Sequence, residues 1–439
     1  MRVLMFGWEF PPHMSGGLGT ACFGMTKAIT DLGHDVIFVL PKVNGVKEKT
    51  HVKLVSAADI PVSTRTAESS DTDVALTSGL VDFGRLTIRP IHSVLSPYLT
   101  SFQYENLLQH SSTGIVDREQ AAEYKWFLGN AGGYGPNLLA EVARYGDVAG
   151  AVATQYAFDI IHAHDWMTVF AGLIAKKASG KPLVLHIHAL EFDRSGENIN
   201  QDIYEIERSG MEGADRIIAV SNYTKQRIVS LYNIDPRRIS VIHNAVSQVE
   251  ARQIYHMPSK NGGRKVVLFL GRITFQKGPD YFIEAAAKVL KVLPDITFVM
   301  AGTGDMMPRM VERVAELGLG KNFHFTGFLR GADVEQMFAA SDLYVMPSVS
   351  EPFGISPLEA MLYDVPVIIS KQSGVTEILK HALKVDFWDV DEMANKIIAV
   401  LKYPVLFDDI VERSREEIKH IRWEAAAGKI VDVYRDLMH

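Results

Sequence analysis

The chain has a single cysteine, Cys22, in 439 residues. No intrachain disulfide can form, and no cysteine-based zinc site is available. There is no long run of Lys or Arg, and the formal net charge is -7 with a pI near 6.1. Nucleic acid and anionic membrane are therefore not expected as main partners. No apolar stretch approaches the ~18 residues of a membrane span. Met1 to Phe6 is apolar too briefly for a signal sequence and reads as a first strand, so a cytoplasmic protein is expected. Neither a Walker A sequence nor a dinucleotide fingerprint occurs; counted from Gly17, the last fingerprint position is Cys22. Two Asp-x-Asp triplets, beginning at Asp71 and Asp389, lie away from the other motifs and read as surface acid.

What is present is a large apolar inventory, 47% of residues, at a mean hydropathy near zero (+0.05). Short β-rich runs alternate with amphipathic segments. Strands are expected at Val3–Phe6, Asp35–Leu40, Leu86–Ile88, Asp159–Ala163, Pro182–His188, Arg216–Val220 and Ile239–His243. A second series covers Lys265–Leu270, Ile296–Ala301, Phe323–Thr326, Leu343–Met346 and Val365–Ile369. Helices are expected between them, among others Ala21–Leu32, Thr168–Lys177, Tyr223–Leu231 and Pro279–Leu293. Such alternation predicts α/β architecture with parallel sheets and crossover helices. Residues 247–264 are polar and contain Pro258, Gly262 and Gly263, which reads as a linker. The strand-turn-helix pattern restarts after it, so two doubly wound domains are expected. Thr50 to Ser78 reads as a polar excursion loop. The aromatic-rich stretch Tyr98 to Tyr134 reads as an inserted layer.

Four clusters carry chemistry. The first, Gly16-Gly17-Leu18-Gly19, follows the first strand and opens a helix, where glycine lets backbone approach a ligand. The second, Gly271 to Gly278, puts Arg272 and Lys277 at the end of a strand, where two fixed cations can neutralise a diphosphate leaving group without a metal. The third is His162-Ala163-His164-Asp165-Trp166, with a second His-x-His at His186 and His188. No carboxylate or cysteine completes a convincing ligand set there, so no metal is expected, and a strand-end histidine can instead meet a sugar hydroxyl or a developing charge. The fourth runs from Glu351 to Glu359 across a strand-to-helix turn, where unpaired N–H groups suit an anion. Ser356 and Glu359 also fit a capping box with Pro357 at the first helical position. That gives Glu359 a structural role, whereas Glu351 precedes Pro352 and has none.

Taken together, these residues resemble the retaining GT-B glycosyltransferases, most closely the glycogen and starch synthase group (family 5), with family 4 features. The resemblance rests on Trp8-Glu9-Phe10-Pro11-Pro12 with the Gly-Gly-Leu loop, His164-Asp165-Trp166, Gly271-Arg272 with Gln276-Lys277-Gly278, and the Glu351/Glu359 pair. It implies two Rossmann-like domains facing across a deep cleft. Residues 1–245 with 416–439 would form the N-terminal, acceptor-side domain, the last helix crossing back to it, and 246–415 the nucleotide-sugar domain. It implies Arg272 and Lys277 on the diphosphate, and N–H groups around Gly354, Ile355, Ser356 and Leu358 on the distal phosphate. Glu359 would bond the ribose and Glu351 the donor sugar. His164 would lie at the anomeric centre through backbone or ring, and Gly16 and Gly17 would approach the phosphates on closure. The implied activity is transfer of glucose from a nucleotide-diphosphate glucose to an α-glucan such as glycogen or a maltooligosaccharide, with no cofactor. Homo-oligomerisation stays open.

The pattern departs from the group in three places. Met14 stands where Lys is usual, which leaves UDP-glucose open beside ADP-glucose. Asn244-Ala245-Val246-Ser247 replaces Asn-Gly-Val-Asp, and Glu359 is typical of family 4. The alternative is another family 4-like enzyme, a mannosyltransferase or a trehalose-forming synthase.

Overall fold

The computed structural model describes residues 1–11, 16–41, 50–57, 138–247 and 264–438, with the backbone of 81–82 and 87–88. The aromatic-rich stretch, the Asp71 triplet, Met14 and most of the expected linker lie outside these residues.

Two parallel sheets organise the chain. The first contains β1 (Arg2–Phe6), β2 (Asp35–Leu40), β3 (Lys53–Ser56), β6 (Ile160–His164), β7 (Leu183–Ile187), β8 (Arg216–Ala219) and β9 (Ile239–Val241), in the order β3-β2-β1-β6-β7-β8-β9. The second contains β10 (Lys265–Leu270), β11 (Ile296–Ala301), β12 (Phe323–Gly327), β13 (Leu343–Met346), β14 (Val367–Ser370) and β15 (Leu383–Val385), in the order β12-β11-β10-β13-β14-β15. Every strand pairing within these two sheets is parallel. The inner strands are buried on both faces, which is why they read as unbroken Val/Ile/Leu runs. A separate two-strand pair, β4 (Val81–Asp82) with β5 (Thr87–Ile88), is antiparallel. It replaces the sheet strand expected at Leu86–Ile88.

Helices cover both faces: α1 (Gly17–Asp31), α2 (Leu138–Gln155), α3 (Val169–Ser179), α4 (Glu191–Ser195), α5 (Gln201–Gly213) and α6 (Asn222–Tyr232) in the first half. The second half adds α7 (Pro279–Leu290), α8 (Met307–Glu316), α9 (Ala332–Ala340), α10 (Ser356–Leu362), α11 (Val390–Lys402), α12 (Pro404–Ile418) and α13 (Trp423–Met438). Local chemistry sets several starts: Asn200 accepts from Asp202 N and Ile203 N, Ser221 from Thr224 N, and Asp389 from Glu392 N. Asp389, expected as plain surface acid, is thus a helix cap.

The last helix leaves the second half and packs on the first. Trp423 lies over Gly24 of α1, where a Cβ would meet its indole at 2.2 Å. Ala427, Ile430, Val431 and Tyr434 share a buried layer with Val3, Met5, Ala21, Met25 and Ile29. Val246 and Arg422 form a parallel bridge, so the two strands of chain joining the halves run side by side. The opposite face of the first sheet packs on α2, α3 and α5 through Tyr145, Val148, Phe170 and Ile206. Among the described residues, no helix is long and apolar enough to cross a membrane.

Candidate active site

In an open parallel sheet, ligands bind where the strand order reverses, beyond the carboxyl ends of the strands. In the second sheet that point lies between β10 and β13, the neighbours from which the chain winds outward in both directions. The loop after β10 carries Arg272 and Lys277. The loop after β13 carries Glu351 and leads into α10. The sheet topology therefore brings two of the four sequence clusters to one place, and they touch.

The contact is built from backbone outward. Phe275–Lys277 forms a single tight turn closed by Gly278 at φ +65°. A Cβ at Gly278 would lie 2.2 Å from the Pro347 carbonyl oxygen, so only glycine lets the two loops meet. The buried Gln276 offers its carbonyl to Val349 N at 2.9 Å, and its side-chain Oε1 accepts from exposed Arg272 at 3.2 Å. Lys277 Nζ then donates to Glu351 Oε2 at 2.5 Å, and Ser348 Oγ donates to the same oxygen at 3.0 Å. Glu351 is held by its own backbone, its N–H on Gln372 O and its carbonyl on Gly374 N. Cation and carboxylate, which the sequence treats as two separate contacts with the donor, are one ion pair here.

The α10 start corrects the capping-box expectation. Ile355 occupies the N-cap with no side-chain cap, and Pro357 is one residue further in than expected. Ser356 Oγ bonds the Tyr344 hydroxyl at 2.7 Å instead, so Glu359 is not part of a reciprocal cap. Among the described residues its carboxylate has no hydrogen-bond partner, and burial pushes it up to about 7. Leu358 N–H closes on Ile355 O at 2.8 Å and is not free for an anion, contrary to expectation. Among the described residues, the N–H groups of Gly354, Ile355 and Ser356 have no partner. A small cavity beside them is lined by Lys277, Tyr344, Ser348 and Ser356.

The first half braces this loop. Ser350 Oγ donates to Asp193 Oδ1 at 2.6 Å, and Asp193 also pairs with Arg227 at 3.2 Å. Ser221 Oγ donates to Pro352 O at 2.6 Å. Asn222 N, Tyr223 N and His243 Nε2 all bond Glu377. Asp193, Ser348, Ser350 and Glu377 carry no motif. Only their proximity in sequence to the recognised clusters could have drawn attention to Asp193 and the two serines.

The other two clusters sit at the corresponding switch point of the first sheet, between β1 and β6. Gly16 N–H donates to Glu9 Oε2 at 3.0 Å, and a Cβ on Gly16 would lie 2.6 Å from that oxygen, while Gly17 faces open space. Asp165 adopts φ +57°, a conformation unfavourable for a residue with a side chain. Its carboxylate accepts from His188 N at 2.6 Å and Ala189 N at 3.3 Å, and burial pushes it up to about 6. The His164 ring is fully buried and turned toward His188, Nδ1 to Nε2 at 3.0 Å. Its Nδ1 is thereby committed within the protein.

Comparison with known proteins gives the family. Residues 252–417 match the family model of glycosyl transferases group 1, and residues 132–248 match that of glycosyltransferase family 4. The chain is a glycosyltransferase of the GT-B type. An uncharacterized glycosyltransferase of Methanocaldococcus jannaschii is 26% identical over 100% of this chain and 99% of its own length. A glycogen synthase of Mycobacterium tuberculosis is 23% identical over 99% of this chain and 94% of its own. Among solved structures, the sucrose-phosphate synthase of Thermosynechococcus elongatus superposes with a TM-score of 0.69 at 17% identity, covering 99% and 98% of the two chains. Anabaena HepE, solved with UDP and glucose, gives 0.66 at 18% identity over 99% and 100%. In this glycosyltransferase the β10 and β13 loops both lie within the group 1 match.

Proposed function

We propose that this glycosyltransferase transfers glucose, with retention, from UDP-glucose or ADP-glucose to the non-reducing end of an α-1,4-glucan. The observation that carries the reading is the Lys277–Glu351 pair at the switch point, beside Arg272 and the free N–H groups of residues 354–356. Residues 246–415 form the donor domain, and 1–245 with 416–439 the acceptor-side domain. The packing of α13 on α1 supports that division.

Arg272 and Lys277 take the diphosphate, and the N–H groups of Gly354, Ile355 and Ser356 take its distal phosphate. Glu351 accepts from hydroxyls of the donor sugar, and Lys277 holds that carboxylate in place. Glu359 accepts from the ribose, whose two hydroxyls would give its unpartnered carboxylate hydrogen-bond donors. Gly16 and Gly17 approach the phosphates from the acceptor side. His164 acts through its strand-end backbone, because its ring is turned away.

As the C1–oxygen bond to the diphosphate breaks, the acceptor hydroxyl attacks C1 from the same face. Its proton passes to the departing phosphate oxygen, so no separate base is required. The two cations stabilise charge as it develops on the leaving group, and no metal takes part. A fold neighbour that holds UDP and glucose and a full-length relative that is a glycogen synthase support this choice of donor and acceptor. The test measures UDP and ADP release from both glucose donors, with and without glycogen, and incorporation of labelled glucose into glycogen. Nucleotide release without glycogen labelling would move the acceptor assignment to another family 4-like reaction.

A further inference from the structure

The rings of His162, His164 and His186 form one buried cluster, with His188 at its edge, that the transfer chemistry leaves unused. Strand alternation puts His162 and His164 on one face, and the parallel register sets His164 opposite His186. His162 and His164 stack at 4.4 Å between ring centroids, and His186 lies 5.3 and 5.5 Å from them. One ring nitrogen from each of these three residues falls within 4.8 Å of the other two.

The hydrogen bonds around them leave the cluster incomplete. His162 Nδ1 bonds the Tyr434 hydroxyl of α13, and His162 Nε2 lies 3.2 Å from His186 Nδ1. His164 Nδ1 lies 3.0 Å from His188 Nε2. Nε2 of His164 and Nε2 of His186 are buried with no partner among the described residues. If each Nδ1 carries the proton, every one of these bonds is satisfied. His162 then donates to Tyr434, His186 to His162, and His164 to His188. The His162 Nε2 lone pair is then taken by His186, while the Nε2 lone pairs of His164 and His186 meet nothing among the described residues. Native proteins seldom leave buried polar atoms in that state. A hydrogen-bonded Nδ1–H with a bare Nε2 is also how ligating imidazoles are commonly held, the partner fixing tautomer and ring orientation.

We propose that His162, His164 and His186 bind one divalent transition-metal ion, zinc in the first instance, which clamps β6 to β7 beneath α13. Three neutral imidazoles suit zinc better than magnesium or calcium, which prefer oxygen ligands. The ion replaces the His162–His186 hydrogen bond: those two nitrogens already lie 3.2 Å apart, near the ~3.4 Å spacing implied by ~2 Å Zn–N bonds, and His186 then carries its proton on Nε2. Tyr434 is the outer partner that orients His162, so the ion ties the crossing helix to the sheet. This ion is structural; leaving-group charge is handled by Arg272 and Lys277 on the other sheet.

The test uses the untagged full chain, stripped with chelating resin and titrated with Co2+, a spectroscopic stand-in for zinc. The expected result is about one equivalent bound with visible d–d bands, displacement by Zn2+, and a higher melting temperature with Zn2+. His186→Gln should abolish the bands, and Tyr434→Phe should weaken binding about 10- to 100-fold. Absence of a stoichiometric Co2+ spectrum in the unsubstituted protein would overturn the proposal. So would bands that persist unchanged in His186→Gln, since the ion would then sit elsewhere. The Co2+ titration stands alone should that variant fail to fold.

Discussion

Replacing Lys277 by Ala should have two separable effects, and a second substitution should divide them. Lys277 and Glu351 are 2.5 Å apart with side chains 22% and 7% exposed, so the pair is mostly out of water. At an effective dielectric of ~20 its Coulomb attraction is about 7 kcal/mol, largely offset by the desolvation of both groups. Removing only the cation leaves Glu351 buried with Ser348 as its remaining donor. Breaking one side of such a pair costs ~3–5 kcal/mol of stability. If Lys277 also stabilises the leaving diphosphate, turnover falls a further ~100- to 1,000-fold. Glu351→Gln in the Lys277→Ala background removes the orphaned charge at nearly constant volume. Urea unfolding should then recover most of the lost stability, while nucleotide release at saturating donor stays ~100- to 1,000-fold below that of Glu351→Gln alone. If turnover returns together with stability, Lys277 serves only to neutralise Glu351, and the leaving-group role fails.

Other expectations follow from neighbouring residues. Gly278→Ala forces a side chain into φ +65° and against the Pro347 carbonyl; it should cost more than ~1 kcal/mol and raise the donor KM. Denaturant titration and steady-state kinetics check both. Glu359, with its carboxyl pushed up to about 7, accepts from both ribose hydroxyls with both oxygens only when ionised. Below that value, binding must first release a proton, so nucleotide affinity should fall about tenfold per pH unit and level off above it. Calorimetry from pH 5.5 to 8.5 should find this slope, and Glu359→Gln should flatten it. Ser350→Ala removes a buried bond to the Asp193 carboxylate between the two halves and should destabilise by ~1.5–3 kcal/mol in urea unfolding. Added Mn2+ should leave turnover unchanged, and a rise would contradict a reaction driven by protein cations alone.

The parallel strands were legible because strands buried on both faces must be continuously apolar, as β10 and β13 are. Short edge strands were not. Leu383–Val385 has three residues, and Lys53–Ser56 hides at the start of a polar stretch that reads as loop. Helix α2 was missed because it is rich in Ala and interrupted by Gly146 and Gly150, which weakens its apolar period. Both glycines pack closely on Ile174 of α3, a reason found only in the fold. At the site, Arg272, Lys277, Glu351 and Glu359 could be named from their positions after strands. Their grouping could not, because Lys277 and Glu351 are 74 residues apart and meet through the strand order. The capping-box reading failed because a strand residue, Tyr344, takes the Ser356 hydroxyl.

The position of α13 has a consequence for biosynthesis. Val3 and Met5 are made long before the helix that completes their apolar layer, residues 423–438. A ribosome therefore makes the strands of both sheets before the first sheet can be sealed. Synthesis in order does not let the N-terminal half mature ahead of the other. Until release, the nascent protein carries an uncovered strip of α1 and β1, a natural target for chaperones. Fragments ending before Trp423 should for the same reason emerge sticky and short-lived even with every donor-site residue in place.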